Sequence, residues 1–216
     1  MNKAPIDLML FDFDGTLFDS IPSAVSAVQM MLAALNYPPQ TPEEIHRHVG
    51  FGEVPLISGS IGTDDPERVK QAMETYLWHL KHHTIHHIQL FPHVREMLEH
   101  FSPKPKFILS NKSDELMNII LEKNDLLKYF EKVMGGDTSP CLKPDPCVIN
   151  ELLAKKKIDP KRVLLVGDMV VDIQTGKNAG IITCGVTYGF DGKEKLEASH
   201  PDHLIDDILK LTELFS

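Results

Sequence analysis

The chain has 216 residues, of which 42% are hydrophobic and 25% are charged, and its formal net charge is −9. This composition is typical of a soluble globular protein, and the length fits one core domain with an insertion. The acidic balance argues against nonspecific nucleic-acid binding, which depends on basic surface. It does not exclude an anionic substrate, because a metal ion and a lysine can reverse the sign of the charge locally.

The cysteines and the N-terminus predict where the protein works. Cys141, Cys147 and Cys184 are odd in number and lack a CxxC spacing. Because the N-terminus has no signal peptide, they predict a reduced protein in the cytoplasm. The N-terminal apolar run is too short to span a membrane, and no later segment approaches that length. We therefore expect no membrane association.

Short apolar runs that end in polar residues recur along the chain. The runs are Leu8 to Phe11, Phe107 to Leu109, Val163 to Val166 and Ile181 to Val186. Each is almost continuously apolar and does not alternate with polar residues. This pattern favours strands that are covered on both faces, as in a parallel sheet.

Helical patterns lie between these runs. They cover Val94 to Phe101, Asp114 to Lys123 with Ser113 as its N-cap, and Cys147 to Lys156. Strands that alternate with helices indicate an α/β fold. The sequence therefore predicts a Rossmann-like, doubly wound parallel sheet.

One segment, residues 21–87, interrupts this alternation. It contains no good strand and three helical patterns, Ser23 to Leu35, Pro42 to Val49 and Pro66 to Lys81. The segment is long for a connection in a compact fold. We expect it to form an inserted all-helical cap, while residues 1–20 and 88–216 form the α/β core.

Polar residues follow the predicted strands at the ends where doubly wound folds bind their ligands. The carboxyl ends of parallel strands meet at one edge of the sheet, so these side chains should gather there. The candidates after strands are the aspartates Asp12, Asp14 and Asp168, with Asp172 four residues on, and the polar pair Ser110 and Asn111. A cation, Lys143, lies between Asn111 and Asp168 in the stretch GGDTSPCLKPDP.

This set of side chains suits phosphoryl transfer. Clustered carboxylates bind Mg²⁺, which prefers oxygen ligands. A carboxylate such as Asp12 can attack phosphorus, and a second one such as Asp14 can move the proton of the leaving group. Lys143 and Ser110 would supply a positive charge and a hydrogen bond to the phosphate oxygens.

Four motifs in this order resemble those of the haloacid-dehalogenase-like hydrolases. They are DFDGTL (Asp12 to Leu17), LSN (Leu109 to Asn111), KPDP (Lys143 to Pro146) and GDMVVDIQTGKNAG (Gly167 to Gly180). The stretches GGDTSPCLKPDP and NAG further resemble the phosphoglycolate-phosphatase-like branch, which carries a helical cap just after its first motif.

The resemblance implies roles for individual residues. Asp12 would be the nucleophile and an Mg²⁺ ligand, and Asp14 would be the general acid/base with its backbone carbonyl on the metal. Asp168 would bind the metal, and Asp172 would do so directly or through water. The phosphate-binding residues would be Ser110, Asn111 and Lys143. Met169 departs from the family, which often has Ser or Thr there to support the acidic loop.

The family also implies the reaction. Asp14 indicates a phosphatase, because dehalogenases carry a different residue at that position. We expect a Mg²⁺-dependent phosphatase acting on a small phosphorylated metabolite, with 2-phosphoglycolate as the first candidate. The alternatives are a pyrophosphatase, a sugar-phosphate or nucleotide phosphatase, and a sugar phosphomutase. The protein would be a monomer or a homodimer.

Two features of the predicted cap remain open. By resemblance, the loop Arg47 to Glu53 would select the substrate, with Arg47, His48 and Phe51 as candidates, although a flexible turn explains it equally well. A histidine cluster follows at His82, His83, His86 and His87. Histidines four residues apart on a helix can bind zinc, but a solvated connector is the favoured interpretation.

Overall fold

The computed structural model describes residues 3–216. Within that range the chain divides into two compact units. The first reaches up to Phe18 and resumes from Leu90 to Ser216, and the second is Asp19–Gln89. The chain passes between them through two-residue strands, β2 (Phe18–Asp19) and β3 (Gln89–Leu90).

A six-stranded parallel sheet forms the centre of the first unit. Its strands are β1 (Leu8–Phe11), β4 (Lys106–Leu109), β5 (Lys132–Met134), β6 (Val163–Gly167), β7 (Ile182–Val186) and β8 (His203–Ile205). Their order in the sheet is β5-β4-β1-β6-β7-β8. The predicted α/β fold with a doubly wound parallel sheet is confirmed. The short edge strands β5 and β8 were not predicted, because three residues are too few to show a pattern.

The position of β1 determines where a ligand can bind. β1 pairs with β4 on one side and with β6 on the other, so the strand order reverses beside it. Doubly wound sheets bind ligands at such a point, outside the carboxyl ends of the strands. Asp12, directly after β1, is therefore placed at that crevice, and its backbone N–H donates to the Val166 carbonyl at 2.9 Å.

Helices surround this sheet. They are α5 (Val94–His100), α6 (Asp114–Lys123), α7 (Cys147–Lys156), α8 (Val170–Ala179), α9 (Gly192–Ala198) and α10 (Leu211–Leu214). Ser113 caps α6 as predicted, because its side chain accepts a hydrogen bond from the Leu116 N–H. Val148 and Ile149 of α7 are buried in an apolar cluster with strand residues of the sheet.

The second unit is helical. It contains α1 (Ile21–Ala34), α2 (Pro42–His46), α3 (Glu53–Ile61) and α4 (Pro66–His79), then a π-helical turn, Leu80–Thr84, and a 3₁₀ turn, Ile85–His87. None of the helices within residues 3–216 is long and apolar enough to cross a membrane.

Helix α3 was not predicted from the sequence. Its Pro55 and Gly59 are residues that usually disfavour a helix. Pro55 lies in the first turn, where its missing N–H costs no helical hydrogen bond. Gly59 faces the ring of His48, and a Cβ at that position would lie 2.3 Å from His48 Nδ1. Close packing of α3 against His48 thus explains why a glycine is found at position 59.

The prediction of a fully reduced chain is wrong. Cys141 and Cys147 form a disulfide, with their Cα atoms 6.4 Å apart. The KPDP segment between them turns back on itself, which a count of cysteine spacings does not reveal. Cys184 is free and buried, and burial raises the pKa of its thiol.

Candidate active site

Three buried aspartates meet at the carboxyl ends of β1 and β6. Asp12 follows β1, Asp168 follows β6, and Asp172 lies in the first turn of α8. One carboxylate oxygen of each lies within 4.8 Å of the others. Each of the three residues is at most 5% exposed. So many like charges in a buried site require compensation.

Lys143 supplies part of that compensation. Its Nζ lies 2.8 Å from Asp12 Oδ1 and 2.6 Å from Asp172 Oδ1. Burial alone would lower the pKa of Lys143, but the two carboxylates outweigh it and raise that pKa. The lysine is therefore a fixed positive charge between the end of β1 and the start of α8.

One ammonium does not balance three carboxylates. Burial is the largest effect on Asp12 and raises its pKa to about 6, although Lys143 acts in the opposite direction. Burial, followed by the charges of Asp12 and Asp172, raises the pKa of Asp168 well above its ordinary value. The metal-free site thus favours protons on Asp12 and Asp168, which a divalent cation would displace.

Asp168 is held in one orientation by its neighbours. Its Oδ1 accepts a hydrogen bond from the Thr16 hydroxyl at 2.9 Å, and its Oδ2 accepts one from the Phe190 N–H at 2.7 Å. Gly15 and Gly189 leave room for the carboxyl group, because a Cβ at either position would lie 2.2 Å from an Asp168 atom.

Asp172 links Lys143 to the start of α8. Besides contacting Lys143, it accepts a hydrogen bond at Oδ2 from the Met169 N–H at 3.0 Å. The loop is therefore supported by a backbone group where the family often has a hydroxyl side chain. Gly167 permits this packing, since a Cβ there would lie 2.2 Å from Asp172 Cγ.

The pair after β4 contacts the lysine loop. The Asn111 amide donates to the Lys143 carbonyl at 3.2 Å, and its Oδ1 accepts from the Lys143 N–H at 2.8 Å. Both polar atoms of the Asn111 side chain are used in these contacts, so Asn111 positions Lys143 and has less capacity to bind a phosphate itself. The Ser110 hydroxyl is buried and accepts from the Lys112 N–H at 3.4 Å.

Asp14 lies at the rim of the site. Its side chain is 26% exposed, and its Oδ1 is 3.3 Å from Lys112 Nζ. It does not belong to the buried carboxylate group formed by Asp12, Asp168 and Asp172. A more accessible carboxyl beside a buried carboxylate suits a group that exchanges protons with substrate and water.

The sequence did not single out three residues that contact the site. Thr16 and Phe190 orient Asp168, and Lys112 pairs with Asp14. Thr16 and Lys112 lie in or directly beside quoted motifs, and Phe190 follows β7 by a few residues. Thr16 and Lys112 stand among the residues that follow the first two predicted strands, but no role was predicted for them, and no residue after β7 was predicted for the site.

The proposed selectivity residues lie in the second unit. Arg47 follows α2 and is exposed, His48 packs against Gly59, and Phe51 is 49% exposed. Their role in substrate selection stays a prediction.

The histidine cluster occupies the π-helical and 3₁₀ turns after α4. His82, His83, His86 and His87 are exposed, and the His82 ring stacks on Trp78 at 4.9 Å. Among residues 3–216, two groups of at least three metal-ligating side chains converge, and neither contains these histidines.

The residues at the strand ends fit Mg²⁺. Asp12, Asp168 and Asp172 offer hard oxygen ligands from three converging side chains, as Mg²⁺ prefers. Asp12 Oδ1 is buried and, despite its contact with Lys143, makes no aligned hydrogen bond. The second converging group, Cys141, Asp145 and Cys147, suits a metal poorly because its sulfurs form the disulfide.

Comparison with known sequences agrees with this geometry. Residues 9–186 match the family model described as haloacid dehalogenase-like hydrolase. A phosphoglycolate phosphatase of Vibrio parahaemolyticus is 33% identical over 99% of this chain and 98% of its own. One from Pseudomonas putida is 30% identical over 94% of this chain and 78% of its own. The predicted family and enzyme class, a phosphatase hydrolase, are confirmed.

Solved structures show the same fold. A crystal structure described as a predicted phosphoglycolate phosphatase from Haemophilus somnus superposes with a TM-score of 0.90, at 25% identity, over 96% of this chain and 97% of its own. A crystal structure described as a predicted phosphatase from Clostridium acetobutylicum, at 20% identity, gives a TM-score of 0.83 over 97% of each chain. The chain therefore belongs to the haloacid dehalogenase-like hydrolases, and its phosphatase members resemble it over nearly its whole length.

Proposed function

We propose that this protein is a Mg²⁺-dependent phosphatase that works through a phosphorylated Asp12. One observation carries the proposal: the buried Asp12 carboxylate lies 2.8 Å from Lys143 Nζ, beside two further buried aspartates. A structural role alone would not require so many uncompensated charges. Phosphate with its cation would use both the lysine and the carboxylates.

The first chemical step is attack by Asp12. A carboxylate oxygen of Asp12 forms a bond to phosphorus, and the bond from phosphorus to the ester oxygen breaks. Asp14, in its acid form, gives a proton to the departing oxygen. Lys143 and Ser110 hold the phosphate oxygens while charge moves to the leaving group. The products of this step are an alcohol and an aspartyl-phosphate.

The second step returns the enzyme to its starting state. Asp14, now ionised, takes a proton from a water molecule as that water attacks phosphorus. The bond between phosphorus and Asp12 breaks, which releases inorganic phosphate and the free carboxylate. Asp14 ends this step protonated, as the next cycle requires.

Asp12, Asp168 and the Asp14 backbone carbonyl would hold Mg²⁺, with Asp172 binding directly or through water. When bound, the cation offsets the repulsion between these carboxylates and neutralises phosphate charge. Thr16 and the Phe190 N–H keep Asp168 oriented, since each donates a hydrogen bond to one of its oxygens.

The proposed substrate is 2-phosphoglycolate. The support is similarity to relatives that are named phosphoglycolate phosphatases and match nearly the full chain. Pyrophosphate, sugar phosphates and nucleotides are the alternative substrates. Arg47, His48 and Phe51 are the residues we propose to select among them. The proposed setting is the cytoplasm, as a monomer or homodimer, which cell fractionation and light scattering would test.

The decisive experiment measures phosphate release from a panel of phosphorylated metabolites with Mg²⁺ and with chelator. We expect turnover with Mg²⁺, with 2-phosphoglycolate among the best substrates. Asp12→Asn should abolish turnover while the circular-dichroism spectrum is retained. Asp64→Asn, which alters an exposed aspartate, is the matched control and should behave like the unaltered chain. Ordinary activity in Asp12→Asn would refute the covalent route.

Product analysis separates hydrolysis from phosphoryl transfer between hydroxyls. With a hexose phosphate, a phosphatase yields free sugar and inorganic phosphate. An isomerised phosphate ester with little free phosphate would instead identify a sugar phosphomutase.

A further inference from the structure

Lys112 places a positive charge beside the proposed acid/base. Its Nζ lies 3.3 Å from Asp14 Oδ1. The lysine side chain is 7% exposed and the aspartate side chain is 26% exposed. Lysines are rarely buried without a partner, because burial of the ammonium group costs solvation free energy. Its position at the carboxyl end of β4 faces the same edge of the sheet as Asp12.

The backbone of Lys112 is fixed on both sides. Its N–H donates to the Ser110 hydroxyl at 3.4 Å, and its carbonyl accepts from the Gly136 N–H at 2.9 Å. The neighbouring Gly135 allows this close approach, because a Cβ there would lie 2.6 Å from the Lys112 carbonyl oxygen. The side chain therefore extends towards Asp14 from a backbone position that cannot shift easily.

Asp14, in contrast, begins a tight turn. Its neighbour Gly15 has φ +80°, and the Gly15 N–H donates to the Phe18 carbonyl at 2.8 Å. The backbone is thereby defined, but the carboxyl group is at the rim, where water competes for its orientation. A buried ammonium at 3.3 Å favours one orientation of that carboxyl group.

We propose that Lys112 is a positioning residue that holds the Asp14 carboxyl group towards the leaving oxygen. The inference rests on the proposed phosphatase function and deepens it. Lys112 acts through Asp14 and does not itself exchange a proton with substrate. The consequence is specific: Lys112 matters most when the leaving oxygen needs a proton in order to depart.

Two other roles for Lys112 would give different patterns of activity loss among substrates. If Lys112 instead bound the carboxylate of a substrate, its loss would affect only substrates that carry one. If it served stability alone, its loss would affect all esters equally. Three esters distinguish these cases: 2-phosphoglycolate, glycerol 2-phosphate, which has no carboxylate, and para-nitrophenyl phosphate, whose leaving group needs no proton.

The experiment measures kcat/KM with Mg²⁺ for these esters in Lys112→Met and in Lys112→Arg. This ratio reports the steps up to departure of the leaving group. For Lys112→Met we expect a loss of at least about tenfold with both alkyl esters, since general acid catalysis contributes about 10²–10⁴-fold. We expect a loss of less than about threefold with para-nitrophenyl phosphate, whose leaving group does not draw on that contribution. Lys112→Arg should restore most of the lost rate with the alkyl esters.

Lys155→Met is the matched control, because Lys155 is exposed on α7, and it should leave all three ratios unchanged. An equal loss with all esters, or a loss confined to 2-phosphoglycolate, would overturn the positioning role. If the unaltered chain releases phosphate from no member of the metabolite panel, the proposed function is wrong and the role of Lys112 is wrong with it. If it hydrolyses only another alkyl phosphate of the panel, that ester replaces 2-phosphoglycolate in the comparison with para-nitrophenyl phosphate. Lys112→Gln, which removes the charge but keeps a polar side chain, takes the place of Lys112→Met in the same comparison if Lys112→Met does not fold.

Discussion

Asn111 and Lys143 are joined by two hydrogen bonds, one in each direction, although they are separated by 32 residues in the chain. The amide of Asn111 contacts both the N–H and the carbonyl of Lys143. The end of β4 thereby fixes the loop that carries the lysine, and the lysine in turn reaches Asp12. The position of the charge beside the proposed nucleophile thus depends on a side chain from another strand.

Replacement of Asn111 should therefore lower activity through Lys143. In Asn111→Ala the lysine loop loses both hydrogen bonds, and we expect kcat to fall by about 10²-fold, as small misplacements in active sites do. Steady-state phosphate release measures this effect. Asn150→Ala, an exposed change on α7, is the control. Unchanged kcat in Asn111→Ala would show that the lysine loop holds its position without this contact.

The buried Asp12 should make the metal-free chain less stable as the pH rises. Burial raises its pKa from 3.8 to about 6, so between these values the folded state binds more protons than the unfolded state. The free energy of unfolding therefore falls across this window, by roughly 3 kcal/mol from Asp12 alone. Urea unfolding with chelator, compared between the unaltered chain and Asp12→Asn, isolates this contribution.

The free energy of unfolding of Asp12→Asn should rise relative to that of the unaltered chain between about pH 4 and pH 6. Above about pH 6 the difference should stay constant. Addition of Mg²⁺ at neutral pH should raise the melting temperature of the unaltered chain more than that of Asp12→Asn. A stability difference that does not change with pH would contradict the effect of burial on Asp12.

Gly189 should be required for the position of Asp168. In Gly189→Ala the new Cβ would lie 2.2 Å from Asp168 Cβ and 2.5 Å from the Gly15 carbonyl oxygen. We expect activity and Mg²⁺ affinity, measured by calorimetry, to fall by at least about tenfold, as when a group that orients a metal ligand is lost.

Gly192→Ala is the matched comparison for Gly189→Ala. Gly192 has φ +70°, and a Cβ added there would meet no other atom within 4 Å. That change should cost about 1–2 kcal/mol of stability through backbone strain while activity stays close to that of the unaltered chain. Equal Mg²⁺ affinity in the two variants would contradict the steric explanation.

The disulfide should be visible by thiol counting. The denatured chain should react at Cys184 alone before reduction and at three cysteines after it. The double change Cys141→Ser and Cys147→Ser should lower the free energy of unfolding by about 2 kcal/mol, because the closed loop is short. Alkylation followed by mass spectrometry, with Cys184→Ser as the control, tests this. Three reactive thiols in the unreduced chain would contradict the bond.

The fold class and most of the residues at the site could be predicted from the order of residues along the chain. Continuous apolar runs indicate buried parallel strands, and polar residues directly after them must meet at one edge of the sheet. Asp12 and Asp168 could be named for this reason, and Lys143 from the KPDP segment between the strand ends. Helical spacing with Ser113 as the N-cap predicted the bounds of α6. These features can be predicted because strand and helix patterns depend on residues that are close together in the sequence.

The contacts among the residues at the site became known from the folded structure. It placed Asn111 against the Lys143 backbone, Lys112 beside Asp14, and Thr16 on Asp168. It also joined Cys141 to Cys147, against the expectation of free thiols. These contacts depend on how separate strand ends and loops pack in space, and a pattern read along one chain does not contain those distances.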